Sequence, residues 1–308
     1  MSFDQLMQHA HDIADKAAEI ARRERTPATT GRSGVGAPPM DQIRQEFASI
    51  EPAFEPFTKM PDPAHYDSLI NDLKRAMGQV NTGSAPPTQL TGDVMLSNVD
   101  LAHMTTDGSY LAGWTGEAAM AFKKDFVDPF GMVAGNQFTA LSTMRGVLEA
   151  HQAMWAAARK DIDNIAETTL HALDNVGGCN KTQWSYLFTV LSAVATIASG
   201  LITVGTGGAT APIVPVAAGV ALGNVTLGGA NLSQSGNSAE SVISSMMQGI
   251  DTLRQHIQDV EQNHIANYIP PLIGAFTGNT DKLVAARPTL AGMSLPDLYG
   301  DHGMGGRN

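Results

Sequence analysis

Histidine, aspartate and glycine are the residues whose spacing would mark chemistry in this chain, and their placement argues against it. His9 and His11 stand two positions apart, which turns them to different sides of a helix and away from a shared metal. Asp161 and Asp163 have the same separation. Gly205, Gly207 and Gly208 lack the following Lys that would make a phosphate-binding loop, and no strand pattern precedes them. No serine sits in a strand–turn–helix elbow that would expose and activate it. Cys179 is the one cysteine, so neither an intramolecular disulfide nor a cysteine zinc site can form. The expectation is therefore no catalytic residue, no cofactor site and no metal site.

One histidine pair has a different standing, and the elements that carry it explain why. Leu141, Met144, Leu148, His151, Trp155, Ala158, Ile162, Ile165, Thr169 and Ala172 alternate in steps of three and four. That spacing predicts a coiled-coil-like seam on one helix from about residue 131 to about residue 176. Gly177-Gly178 suits its end. A second run, Ile243, Met246, Ile250, Leu253, Ile257, Val260, His264 and Asn267, repeats the pattern until Pro270-Pro271 should stop it. Folding the chain back near Gly207 sets the two helices antiparallel, with His151 opposite about residue 264. The pair His151 and His264 is thus a candidate acid latch, since protonating both near pH 6 would place like charges in one layer.

Between the two helices, residues 182 to 239 contain no Asp, Glu, Lys or Arg. The block reads as two apolar limbs, residues 186 to 205 and 211 to 232, joined across Thr206 to Thr210. Each limb is about 20 residues, the length that crosses roughly 30 Å of hydrocarbon as a helix. Gly200, Gly205, Gly219 and Gly223 would let the limbs pack closely. Pro212, Pro215 and the interspersed threonines temper the hydrophobicity. The expectation is an apolar Gly/Ala-rich helical hairpin over 182–236, buried in the resting protein or in an oligomer, with membrane contact as a conditional state.

Composition narrows the partners. The 308 residues carry 19 basic against 30 acidic side chains and no basic run, which argues against a nucleic-acid or anionic-lipid surface. Aromatic residues are only 6%, which favours close-packed helices over a sheet sandwich. Phe3, Leu6, Ala10, Ile13, Ala17 and Ile20 line one face of an N-terminal amphipathic helix over 1–25, and Arg22, Arg23 and Arg25 suit its C-terminal end. The acids in this segment and its broken apolar pattern are unlike a secretory signal peptide. A linker with a short helix follows over 26–62, then a helical domain over 63–176. After the hairpin come a C-terminal helix over 237–271 and a flexible tail over 272–308.

The string GWTGEAAMAFKKDF, Gly113 to Phe126, resembles the signature of the WXG family, helical-hairpin substrates and partners of type VII (ESX) secretion in actinobacteria. The resemblance implies that Trp114 and Gly116 form the turn between two antiparallel helices and that Ala118 and Phe122 open the second. With the apolar segment downstream, the chain is most similar to the larger Esp-type members. Two features depart from the pattern. None of the five tyrosines has Asp or Glu four positions later, so either a partner supplies the export signal or the protein is not exported, and Asp128-Pro129-Phe130 should interrupt the second helix.

The expected fold is all-α: an elongated bundle with a WXG-like helix-turn-helix, long antiparallel heptad-patterned helices and the apolar hairpin. The expected function is that of a non-enzymatic, type VII secretion-associated interaction protein. It would pair with a WXG-like partner or with itself, engage the secretion machinery and leave the cytoplasm by a Sec-independent route for the cell surface or exterior. The alternative is a helical pore-forming or membrane-disrupting effector.

If Trp114 anchors the helical turn, Trp114→Ala loses a large aromatic contact, and stability falls by about 3 kcal/mol. Denaturant unfolding of the full chain reads this loss; an unchanged midpoint removes Trp114 from the turn.

Overall fold

The computed structural model describes residues 3–26, 38–82, 97–106, 115–176, 202–206, 209–214 and 238–284. Helices account for nearly all of them, and the fold is all-α. In chain order they are α1 (Phe3–Arg25), α2 (Met40–Glu46), α3 (Ile50–Phe54) with a 3-10 turn (Glu55–Lys59), α4 (His65–Val80) and α5 (Val99–Thr106). Next come α6 (Glu117–Phe122), a π-helical turn (Lys123–Val127) and α7 (Asp128–Asp174). After a short antiparallel ribbon, β1 (Ile202–Thr206) and β2 (Ala209–Val214), the chain forms α8 (Ala239–Asp259), a second π turn (Val260–Ile265), α9 (Ile269–Gly278) and α10 (Thr280–Leu283).

The chain divides into two compact units. The first gathers Met1–His65, His151–Ala193 and Asn224–His264. In it α1 packs on α2, α3 and α8, burying Leu6, Ala10, Ile13, Ala17, Ala18 and Ala21. Alanine at four of those six positions brings the helix backbones close, while Ile13, Ile43, Ile50 and Phe54 fill the remaining space. From α7 the unit takes Met154, Ala158, Ile162, Ile165, Thr169 and Leu173, all buried. Asp163 interacts with His9, and Lys16 pairs with Asp174, so α1 and α7 run in parallel here. Glu261 lies close enough to His151 to act on its charge.

Polar side chains tie the ends of these helices. Arg25 forks onto Glu46 at 2.9 and 2.7 Å and also reaches Glu240, joining α1 to α2 and to the first turn of α8. Ser238 caps α8 by accepting from the Ser241 amide, and the Ser241 hydroxyl returns a bond to the Ser238 amide. Gln152 and Arg159 donate to the carbonyls of Pro63 and Met60 at 3.0 and 3.2 Å, which satisfies backbone that the prolines leave outside any helix.

The second unit gathers Tyr66–Ala150, Val194–Gly223 and Ile265–Asn308. Ile70 and Met77 anchor α4, and Asn98 bonds the carbonyls of Asn81 and Gln79 to fix the entry to α5. Asn136 and Gln137 on α7 donate to the carbonyls of Lys282 and Leu283 at 3.0 and 2.6 Å, closing the last turn of α10. Arg145, 3% exposed, pairs with Glu149 at 2.8 Å along the same helix.

The sequence expectations need correction in four places. Pro129 does not interrupt the helix: Glu117 to Asp174 is continuous. The Asp128 amide bonds the Lys123 carbonyl five residues back, and this wider turn relieves the clash that a proline ring makes with the carbonyl four residues earlier. The heptad-patterned helix stops ahead of Pro270-Pro271 as expected, at a 3-10 turn (Ala266–Tyr268), but the tail expected from residue 272 begins as helix: the prolines open α9, because a first turn needs no intrahelical N–H.

The buried stripe along the first half of α7 runs through Thr143, Val147, Ala150 and Met154, one position before each expected seam residue. It merges with the expected seam from Ala158 onward. Met144 is 44% exposed, while Thr143, Val147 and Ala150 are buried.

The fourth correction concerns the helical hairpin. Its central part is a β-ribbon, with Thr203 opposite Pro212, Gly205 opposite Thr210 and Thr206 opposite Ala209. Ile202, Thr203, Val204, Ile213 and Val214 are β-branched, and Pro212 and Pro215 oppose a helix. The outer parts of both limbs lie outside the described residues.

Candidate functional site

The Trp-x-Gly segment is the candidate site that sequence reading favoured, and its glycine has a defined structural task. Trp114 lies outside the described residues. Gly116 caps the N-terminus of α6 with φ +106° and ψ 168°, a backbone region that is essentially glycine's alone. No neighbour crowds the position, so the demand comes from the backbone and not from packing. Its carbonyl accepts the first helical bond, from Met120 at 3.0 Å.

Downstream, Phe122, Phe126 and Phe130 form a half-buried aromatic strip, with ring centroids 5.1 and 5.8 Å apart. The π turn contains Phe126, with Phe122 directly before it and Phe130 in the first turn of α7. Ala118 has its place in the first turn of α6; its side chain lies outside the described set. Sequence reading named Phe122 alone, although the spacing of four between the three phenylalanines was visible.

The other named residues do not converge. Gly205 sits in β1 opposite Thr210, while Gly200, Gly219 and Gly223 lie outside the described residues. His151 is half-buried on α7, and burial lowers its pKa while Glu261 partly restores it. His264 belongs to the π turn after α8, and its side chain lies outside the described set. A glutamate thus stands near His151, three residues before the position expected to face it.

Two polar sites escaped sequence reading. Asp161 is buried, its Oδ2 has no hydrogen-bond partner, and burial pushes its pKa up to about 6. The residue interrupts no apolar pattern, so nothing in its spacing marked it as internal.

The second site is a cleft of about 420 Å³ between α1, α2 and α3. It is lined by His11, Ala14, Asp15, Arg44, Phe47, Ala48 and Glu51. His11 Nδ1 lies 2.9 Å from Glu51 Oε1, its Nε2 lies 3.5 Å from Asp15 Oδ2, and Arg44 Nε lies 3.2 Å from Asp15 Oδ1. The i, i+4 spacing of His11 and Asp15 was the available signal; Glu51 and Arg44 are remote in sequence.

Among the described residues no group of His, Cys, Asp and Glu is arranged to hold a metal ion, and no helix is long and apolar enough to cross a membrane. No family model, curated protein or solved structure matches the chain.

Two measurements test these local readings. Gly116→Ala forces a side chain into a glycine backbone region and should cost about 1 to 3 kcal/mol; a denaturation midpoint equal to wild type would show that the turn accepts other residues. Asp161 has a folded pKa raised above 3.8 to about 6. Its contribution is therefore most favourable below pH 3.8 and is lost as pH rises through about 6. Asp161→Asn should raise stability at pH 8 by about 2 to 3 kcal/mol and lose that advantage in acid. A pH-independent difference between the two proteins would contradict the burial of a charged carboxylate.

Proposed function

We propose that this chain acts through helix-mediated association and not catalysis, as a type VII secretion-associated protein of the WXG-like kind. The observation that carries the reading is Gly116. In the string GWTGEAAMAF a glycine-only backbone conformation falls on the motif glycine, directly before a helix that continues without a break to Asp174. A chance Trp-x-Gly triplet has no reason to require glycine there.

The distribution of exposed apolar surface supports an association role. The large apolar side chains exposed among the described residues are Leu69, Val99, Met120, Met144, Ile269, Ile273 and Val284. All belong to the second unit, which also contains the motif. Exposed apolar residues confined to one unit suit a surface that a protein partner covers. The reading needs neither a cofactor nor a catalytic group. Membrane contact by the uncharged segment remains a conditional part of the proposal.

The test is export. The tagged full chain should reach the culture filtrate or cell surface of a type VII-competent actinobacterium and stay inside a strain lacking the secretion ATPase. Equal distribution in the two strains, or retention in both while an authentic substrate is exported, would overturn the assignment.

A further inference from the structure

The cleft between α1, α2 and α3 has an arrangement of charge that the proposed association function does not use. Four side chains form a linear chain across three helices: Glu51 on α3, His11 and Asp15 on α1, and Arg44 on α2. The signs alternate only when the imidazole is protonated. Both ring nitrogens of His11 face carboxylate oxygens, at 2.9 Å for Nδ1 and 3.5 Å for Nε2. A neutral ring has one N–H and one lone pair, so one carboxylate would then meet a lone pair. The imidazolium donates to Glu51 and pairs in charge with Asp15. Asp15 directs its other oxygen to Arg44, and the chain ends on a cation at α2.

We infer that Glu51, His11, Asp15 and Arg44 form a proton-operated clasp: the doubly protonated ring holds α1 on the α2–α3 corner, and loss of one proton releases that hold over the cleft. The charged groups acting on the ring are Asp12 and Asp15 from α1 and Glu51 from α3; Arg44 from α2 acts through Asp15. Beneath them lie Ala14, Ala48 and the buried ring of Phe47, the surface that release would uncover.

The hydrogen bond that His11 donates to Glu51, and then the charge of Asp15, raise the His11 pKa above 6.5. A raised histidine pKa means that the contribution is complete below 6.5 and is lost as pH rises through the folded value. The clasp is therefore closed in acid and loosens on the alkaline side. This is the opposite sense to a His151–His264 latch, in which protonation would loosen the helices.

The experiment combines a histidine NMR titration of the full chain with amide exchange of α1, corrected for intrinsic rates, at about pH 6 and about pH 8.5. His11 should titrate above 6.5, and Glu51→Gln should lower that value. Protection of the α1 amides around His11 should fall several-fold between the two pH values in the wild type. The fall should be absent in His11→Gln, and His11→Arg, with a permanent cation, should keep α1 protected at both. A His11 that titrates at or below 6.5, or an equal loss of protection in wild type and His11→Gln, would overturn the clasp.

Discussion

A proline inside a helix fixes much of this architecture. Pro129 lacks an amide hydrogen, and its ring would collide with the carbonyl four residues earlier in a regular α-helix. The chain resolves the conflict by widening one turn, Lys123–Val127, so that the Asp128 amide reaches the Lys123 carbonyl. Because the helix survives, Glu117 to Asp174 forms one continuous element. The half-buried strip of Phe122, Phe126 and Phe130 spans the same stretch, and the glycine-dependent turn at Gly116 sets where the helix begins.

Much of the fold was legible where large apolar residues carry the pattern. Ile243, Met246, Ile250, Leu253, Ile257 and Val260 are all buried, as their spacing in threes and fours predicts. Leu6, Ala10, Ile13 and Ala17 behave likewise on α1. The pattern misled along the first half of α7, where the interior face is built from Thr143, Val147 and Ala150. Hydrophobic spacing weighs Met144 and Leu148 above them, yet close-packed helices select for size as much as for polarity. The uncharged segment misled for another reason. Its apolar character fits helix and strand alike, and the β-branched residues and prolines around Gly207-Gly208 decide for strand there.

The candidate site was legible in part. Gly116 could be singled out because a glycine before a helix-forming run invites a backbone explanation, and its positive φ supplies one. The cleft could not be found in this way. His11 and Asp15 are one helical turn apart, but Glu51 lies 40 residues beyond His11, and only tertiary packing brings them together. Asp161 shows the converse: a charged residue is internal, because helix faces are assigned by neighbours and not by the residue's own polarity.

The continuity of the helix across Pro129 can be measured directly by amide-resolved native-state hydrogen exchange. Protection should extend without a gap from the second turn of α6 through the π turn and into α7, with Pro129 itself contributing no signal. A block of fast-exchanging amides between Lys123 and Met132, flanked by protected helices, would show two separate helices and contradict the structure's central element.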